Sequence, residues 1–190
     1  WARIIAQSVY YFYSYFLVEE NNKSINFSVP TGNFGDVYAG YLAKKMGLPI
    51  NKFIVATNQN DILHRAISKG VYGVEKVEET ISPSMDIQIA SNFERLIYDL
   101  NNGDDSQTIK AMNDIKEKGK YIINQERLDK ISRDFLSSKM NEDEVLKTIK
   151  QVYEDFDIVL DPHTAIGYGA FDKVNLNGNN IVLATAHPCK

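Results

Sequence analysis

Two glycines that bracket a short polar turn are the feature of this sequence with the clearest chemical use. Residues 28–36 read Ser-Val-Pro-Thr-Gly-Asn-Phe-Gly-Asp, between an alternating β-branched run and a helical pattern. The first amides of a helix lack intrahelical partners and lie at the positive end of its dipole, so they attract anions. Gly32 and Gly35 leave room beside these amides, and Asn33 adds a side-chain amide. The pattern indicates a phosphate cradle, while a plain tight turn explains the two glycines equally well.

The composition narrows the class of partner. The 190 residues are 44% hydrophobic, which is enough for one substantial core. The 21 basic and 25 acidic residues give a net charge of −4, so we expect no nucleic-acid partner and no anionic membrane surface. Residues 1–18 are apolar, but Arg3, Gln7, Ser8 and Ser14 interrupt them, which predicts a packed helix rather than a membrane span. A small-molecule partner is the expectation.

The cysteine and histidine positions speak against a metal site. Cys189 is the sole cysteine, which favours a reducing compartment, and without a signal-peptide pattern we expect the cytoplasm. Asp161 and His163 have a common spacing with no third ligand nearby, so we predict no metal. Asp161 and Pro162 suit the N-cap and first position of a helix instead. His187 stays a hypothesis for general acid or base work.

Strands and helices alternate along the chain. Four apolar runs predict strands, at 25–29, 52–57, 156–160 and 181–185. Helical patterns separate them, which is typical of a parallel sheet built from strand-helix-strand units. The predicted fold class is α/β, with an open, mostly parallel sheet flanked by helices and ligands at the carboxyl ends of the strands.

A charged segment interrupts this alternation. Residues 104–155 are rich in Lys, Glu and Asp and have a helical pattern throughout, with Asn124 and Asn141 as caps. We therefore predict three parts: an α/β part at 1–103, a helical insertion or subdomain at 104–155, and a return to the α/β core at 156–190.

Eight short motifs follow one another along the chain. They are Thr-Gly-Asn-Phe-Gly-Asp at 31–36, Ala-Gly-Tyr at 39–41, Lys-Lys-Met-Gly-Leu-Pro at 44–49, Ala-Thr-Asn-Gln-Asn-Asp at 56–61, Ser-Pro-Ser-Met-Asp-Ile at 82–87, Ser-Asn-Phe-Glu-Arg at 91–95, Asp-Pro-His-Thr-Ala at 161–165 and Ala-Thr-Ala-His-Pro at 184–188. In this order and spacing the chain resembles threonine synthase, a fold type II enzyme that uses pyridoxal 5'-phosphate. The resemblance implies a lyase that converts O-phospho-L-homoserine and water to L-threonine and phosphate.

The resemblance also implies where the cofactor binds. It assigns the cofactor phosphate to Gly32, Asn33, Phe34 and Gly35, in agreement with the argument from helix amides. It places the hydroxyl of Thr185 opposite the pyridine nitrogen, where a hydroxyl, unlike a carboxylate, would not hold the nitrogen protonated. By its type alone, Thr185 is equally well explained as an ordinary β-branched residue that ends a strand.

A phosphorylated substrate needs a second anion site. The matched motifs offer Ser84 and Arg95 for the substrate phosphate and Asp86 as a further substrate contact. Each has an ordinary alternative, since Arg95 suits a surface ion pair and Asp86 suits a cap of the following segment.

In the family that the chain resembles, the lysine that forms a Schiff base with the cofactor lies upstream, in a Phe-Lys-Asp motif. No Phe-Lys-Asp occurs in these 190 residues. We therefore expect a fragment that holds the cofactor loop, contains no catalytic residue and is inactive alone.

Three other functions compete with this interpretation. A Rossmann-type nucleotide-binding module would need Gly-x-Gly-x-x-Gly, and Gly32 and Gly35 have the wrong spacing. Another fold type II enzyme, such as a threonine or serine dehydratase or a cysteine synthase, typically has more consecutive glycines in its phosphate loop. The third is a non-catalytic structural or binding fragment. The oligomeric state is not predicted by any pattern.

Overall fold

The computed structural model describes residues 1–18 and 23–189. Its helices are α1 Ala2–Val18, α2 Gly35–Lys45, α3 Ile62–Lys69, α4 Phe93–Leu100, α5 Asp105–Lys118, α6 Gln125–Asp134, α7 Glu142–Phe156 and α8 Pro162–Val174. Its strands are β1 Ile25–Pro30, β2 Ile50–Thr57, β3 Val71–Gly73, β4 Lys120–Ile122, β5 Phe135–Lys139 and β6 Asn179–Val182, and a 3-10 turn covers Pro83–Met85. Residues 19–22 and Lys190, which fall in the first and third predicted parts, lie outside the described residues.

A four-stranded parallel sheet, in the order β5-β2-β1-β6, organises the chain and confirms the predicted fold class. Every residue of β1 is buried, as expected for a central parallel strand covered on both faces. Helices α1 and α2 pack together, and α8 packs on the main sheet. A separate antiparallel pair joins β3 to β4.

Aromatic side chains fill the core between the sheet and its helices. Phe27, Phe53 and Phe135 come from three neighbouring strands. The ring centre of Phe53 lies 6.5 Å from that of Phe27 and 5.6 Å from that of Phe135. The fully buried ring of Tyr11 from α1 packs against Phe27 at 4.9 Å. These contacts fix α1 against the sheet, and the start of α1 lies near the carboxyl end of β1.

The strand predicted at 156–160 is wrong. These residues form the end of α7 and a loop in which Ile158 and Val159 are about half exposed. The fourth strand is instead β5, which lies inside the segment predicted to be helical throughout and pairs with β2. A short apolar run does not by itself distinguish a strand from the end of a helix, and β5 is an edge strand that tolerates Ser137 and Lys139. The division into three parts stays a prediction, although 104–155 contributes this strand to the main sheet.

Several caps were predictable from local chemistry. The side chains of Asn124, Asn141 and Asp161 each accept a hydrogen bond from a backbone amide in the first turn of the helix that follows, which confirms these three predictions. The predicted strand at 181–185 is instead β6 Asn179–Val182, which ends before Thr185. Within the described residues, no helix has the length and apolar character needed to cross a membrane.

Candidate functional site

A cavity of about 650 Å³ lies at the carboxyl ends of β1 and β6, where the predicted fold class places ligands. Its lining comes from the residues around the start of α1, from the turn between β1 and α2, from the 3-10 turn, from α4 and from the loop after β6. Because β6 pairs in parallel with β1, the loops that follow the two strands meet at one edge of the sheet.

The turn between β1 and α2 presents backbone donors to this cavity. Among the described residues, the N–H groups of 32–37 donate no hydrogen bond, and the first helical bond is from the Tyr38 amide to the carbonyl of Phe34 at 3.0 Å. Free amides at a helix N-terminus are the donors that an anion requires. The turn therefore fits a phosphate group.

Phe34 fixes the shape of this turn. Its backbone is left-handed, with φ 64° and ψ 4°, which is unusual for a residue other than glycine. The ring is fully buried, 5.2 Å from Phe93 and 5.8 Å from Phe135 between ring centres. Packing of the ring holds the backbone in place, so Phe34 can offer a ligand only its backbone.

Asn33 ties the turn to the segment that precedes α4. Its side-chain oxygen accepts hydrogen bonds from the amide and the hydroxyl of Ser91, both at 3.1 Å. Its backbone carbonyl accepts from the amide and the side chain of Asn92, both at 3.2 Å. With the oxygen engaged by Ser91, the Nδ2 group is the part of the side chain that remains as a donor.

Asp86 joins the end of the 3-10 turn to the loop after β2 and to Thr80. Its carboxylate accepts hydrogen bonds from the side chains of Asn58 (2.7 Å), Asn60 (3.0 Å) and Thr80 (2.7 Å), and from the amide of Thr80 (2.7 Å). The turn carries Ser84 into the cavity lining, whereas Asp86 does not line the cavity. The partners of Asp86 all precede it in the chain, so its carboxylate does not cap the following segment, which was the alternative considered for it.

The cavity brings together most of the residues proposed from the sequence. Its lining includes Gly32, Asn33, Phe34, Gly35, Ser84, Arg95 and Thr185, and it does not include Asp86 or His187. Thr185 is exposed and follows β6 in an irregular loop. No cluster of three or more metal-binding side chains occurs among the described residues.

Two arginines contribute positive charge to the cavity. The Arg95 guanidinium lies 4.3 Å from the ring centre of Trp1, and its Nε donates to Asn92 at 3.1 Å. Arg3 and Gln7 lie one helical turn apart on α1 and also line the cavity. In the sequence alone, both are only polar interruptions of an apolar run. Their i, i+4 spacing was the signal that they share one face of the helix.

Asp36 adds a carboxyl group to the same wall. Burial raises the pKa of Asp36 to about 6, while the Tyr11 hydroxyl and the charge of Arg3 act in the opposite direction. Its Oδ1 is buried with no hydrogen-bond partner within the described chain. Asp36 was part of the glycine motif, but its type and position alone gave no sign of this burial.

A buried cluster at the start of α8 forms another part of the wall. The Asp161 carboxylate accepts from the amides of His163 (2.8 Å) and Thr164 (3.2 Å), from the Thr164 hydroxyl and from Nδ1 of His163 (3.0 Å). Although burial favours its neutral form, these hydrogen bonds hold the pKa of Asp161 below its ordinary value. His163 lines the cavity.

The arrangement places the chain in a structural class. No protein-family model matches it. Maize serine racemase, at 13% identity and a TM-score of 0.59 over 94% of this chain and 48% of that one, shows the fold alone. With its parallel sheet and glycine-bracketed turn at a helix start, the chain has the α/β fold of fold type II pyridoxal-phosphate enzymes.

Closer relatives identify the particular protein that the chain matches. It is 44% identical to threonine synthase of Saccharomyces cerevisiae over 211 aligned residues and 43% identical to that of Pseudomonas aeruginosa over 192. The crystal structure of threonine synthase from Brucella melitensis with bound pyridoxal phosphate gives a TM-score of 0.96 at 43% identity, over 99% of this chain and 41% of that one. The chain is thus homologous throughout to one segment of threonine synthase, which confirms the predicted resemblance.

The match covers only part of each relative. Both sequence alignments include all of this chain and 41% of the relative, so the chain spans about two fifths of the length of the curated relatives it matches. The dehydratase-like and nucleotide-binding alternatives are not favoured by these comparisons.

Proposed function

We propose that the chain forms the phosphate-binding side of a pyridoxal-phosphate site, and that the whole protein converts O-phospho-L-homoserine and water to L-threonine and phosphate. The observation that carries the proposal is the row of amides at 32–36, which donate no hydrogen bond within the described part of the chain and belong to residues that line the same 650 Å³ cavity as Thr185. Similarity to threonine synthases supports the reaction, and the pyridoxal phosphate bound in the Brucella relative supports the cofactor.

The residues present fit the cofactor that is proposed. Amides of the turn would hold its phosphate, the Nδ2 group of Asn33 would add a donor, and the Thr185 hydroxyl would contact the ring nitrogen. When bound, pyridoxal phosphate supplies an electron sink for carbanion chemistry at an amino acid. Within this chain the task is to bind and orient: packing of the Phe34 ring keeps the amides in place, and Asp86 ties the 3-10 turn to the loop at Asn58 and Asn60.

A second anion would meet the other side of the cavity. Arg95 is the residue we propose for the substrate phosphate, with Ser84 beside it in the lining, and Arg3 adds charge from α1. Asp86 stays a weaker proposal as a substrate contact, because four hydrogen bonds already engage its carboxylate.

We also propose that the protein works in the cytoplasm, as expected from its single cysteine.

The cofactor assignment is tested by comparing two ligands that differ only in the phosphate. We expect the whole protein that contains this chain to bind pyridoxal 5'-phosphate at least about a hundredfold more tightly than pyridoxal, since several charge-assisted hydrogen bonds would be lost without the phosphate. Absorbance titrations measure both affinities. Equal affinities for the two ligands would show that the turn at 32–35 does not bind the phosphate of the cofactor.

The reaction is tested separately, by phosphate release. We expect the whole protein with pyridoxal phosphate to release phosphate from O-phospho-L-homoserine, and to release none from O-phospho-L-serine, which has one methylene fewer. Cofactor binding without phosphate release would leave a pyridoxal-phosphate protein with another reaction.

A further inference from the structure

One histidine nitrogen at the cavity lacks a hydrogen-bond partner. His163 is only 4% exposed, and its Nε2 atom has no partner among the residues that the structure describes. Buried polar atoms are nearly always hydrogen-bonded, and those that are not need a reason. Because His163 also lines the cavity, a ligand in the cavity is the partner to consider.

The other ring nitrogen is already engaged. Nδ1 of His163 lies 3.0 Å from Oδ1 of Asp161, and an ionised carboxylate can only accept hydrogen bonds. Since the pKa of Asp161 is lowered, that carboxylate is ionised near neutral pH, and Nδ1 carries the proton. In the neutral imidazole this leaves Nε2 as an acceptor.

The backbone holds the imidazole in this orientation. Asp161 also accepts from the amides of His163 and Thr164, so the partner of Nδ1 is fixed by the same cap that starts α8. Helix α8 is itself fixed against β1, where the Ser28 hydroxyl donates to the carbonyl of Gly167 at 2.6 Å. The imidazole is therefore held rigidly at the edge of the sheet where the cavity lies.

We propose that Nε2 of His163 accepts a hydrogen bond from an N–H or O–H donor of the group that occupies the cavity. His163 is then a ligand-binding residue, and Asp161 is a positioning residue that acts through it. The proposal deepens the proposed pyridoxal-phosphate site and rests on it. It assigns a role to a residue for which the sequence offered only a capping turn or a metal ligand.

Nitrogen-15 NMR of imidazole-labelled whole protein tests the proposal without any substitution. Before ligand is added, we expect the His163 signals of a ring that carries a proton on Nδ1. On titration with pyridoxal 5'-phosphate, the Nε2 signal should move upfield, as an acceptor nitrogen does when it gains a hydrogen bond. An unchanged Nε2 signal, or a ring protonated on both nitrogens in the complex, would overturn the proposal.

The same titration separates this proposal from the one on which it rests. Absorbance of the sample reports whether pyridoxal phosphate has bound, independently of His163. Bound cofactor with an unmoved Nε2 signal refutes the role of His163 and leaves the cofactor site standing. No binding at all refutes both.

Two substitutions at His163 give a matched pair. His163→Asn keeps an amide donor close to the position of Nδ1, facing Asp161, and removes Nε2. His163→Gln places an amide group at about the distance of Nε2. We expect Asn to weaken pyridoxal phosphate binding about five- to tenfold, as for loss of one hydrogen bond, and Gln to recover part of it. His64→Asn, at a half-buried histidine on α3, is the control for the loss of an imidazole. Equal affinity for His163→Asn and wild type would contradict the proposal.

Discussion

At the scale of single residues, the two glycines of the cradle are required for different reasons. A Cβ atom on Gly32 would lie 2.8 Å from the backbone oxygen of Ser84 and 3.2 Å from Cα of Met85. A Cβ atom on Gly35 would meet only side-chain atoms, Nδ2 of Asn92 at 3.2 Å and Oε1 of Gln7 at 3.7 Å. Packing of the 3-10 turn therefore explains Gly32, whereas access to the amides better explains Gly35.

Alanine substitutions separate these two reasons. We expect Gly32→Ala to lower the free energy of unfolding by about 1–3 kcal/mol, because backbone must move to admit the methyl group. We expect Gly35→Ala to change it by less than about 1 kcal/mol, because the neighbouring side chains can yield. Urea denaturation measures both values. The opposite ranking would show that the 3-10 turn does not restrict Gly32.

Gly35→Ala also tests phosphate binding, with pyridoxal as the control ligand on the same variant. Its methyl group lies beside the free amides, so pyridoxal phosphate affinity should fall while pyridoxal affinity stays the same. An equal loss for the two ligands would show that Gly35 acts on the cavity as a whole rather than on the phosphate.

Asp36 predicts a pH dependence of stability. Its pKa in the folded chain is about 6, above the ordinary value of about 3.9 that holds in the unfolded chain. Between these values the folded state binds more protons, so this group lowers stability as the pH rises from about 4 to above 6. The full effect, at neutral pH, is at most about 3 kcal/mol.

Replacing the carboxyl group by an amide isolates this effect. We expect the difference in unfolding free energy between Asp36→Asn and wild type to be near zero at about pH 4 and to grow in favour of Asn up to about pH 7. Urea denaturation across this range measures it, with wild type as the reference at each pH. A difference that does not vary with pH would show that Asp36 titrates normally.

At the scale of elements, the start of α8 links stability to the candidate site. The Asp161 carboxylate caps the helix, binds the Thr164 hydroxyl and orients His163, and it is only 2% exposed. Asn124 caps α6 with a single hydrogen bond at 2.9 Å, at an exposed position. The two caps have similar side chains in unlike surroundings, which makes them a useful comparison.

Exchanging Asp and Asn at the two caps should lower the free energy of unfolding only at the buried cap, Asp161. We expect Asp161→Asn to cost about 1–3 kcal/mol, because an amide offers fewer acceptors and sets an N–H donor against existing donors. Asn124→Asp should change stability by less than about 0.5 kcal/mol, because the two residues are nearly equivalent as exposed caps. Thermal or urea unfolding of both variants decides this. Equal effects would mean that the buried network adds nothing to ordinary capping.

The parts of the structure that follow from local chemistry could be predicted from the sequence. The turn at 32–35, the caps at Asn124, Asn141 and Asp161, and the two central strands β1 and β2 all depend on neighbouring residues or on continuous apolar runs. Strand β5 was missed because its Ser-rich sequence suits an edge position that only tertiary pairing with β2 defines. For the same reason the cavity-facing roles of Arg3, Asp36 and His163 needed the packing of α1, α2 and α8.

At the scale of the whole molecule, helix α1 has apolar residues on two faces. One face, with Ile4, Tyr11 and Tyr15, is buried against the rest of the chain. The other face presents four large side chains that are each at least 60% exposed: Ile5 60%, Val9 60%, Tyr13 65% and Phe16 67%. A helix that is apolar all round is normally covered on all sides, and a continuous exposed apolar stripe promotes association.

This stripe predicts that the 190-residue chain, expressed by itself, associates through α1. The double variant Val9→Lys/Tyr13→Lys places two charges at the centre of the stripe, where both side chains already face solvent, so we expect the monomer fraction to rise at unchanged stability. Sedimentation velocity over a range of concentrations measures the association, and urea denaturation checks the fold. As a matched control, Ile109→Lys/Leu146→Lys changes two apolar residues of similar exposure, 59% and 55%, on α5 and α7. If the control raises the monomer fraction as much as the α1 variant does, general surface charge rather than the stripe governs association. If the wild-type chain is monomeric at every concentration, the stripe is too weak to drive association without a larger partner surface.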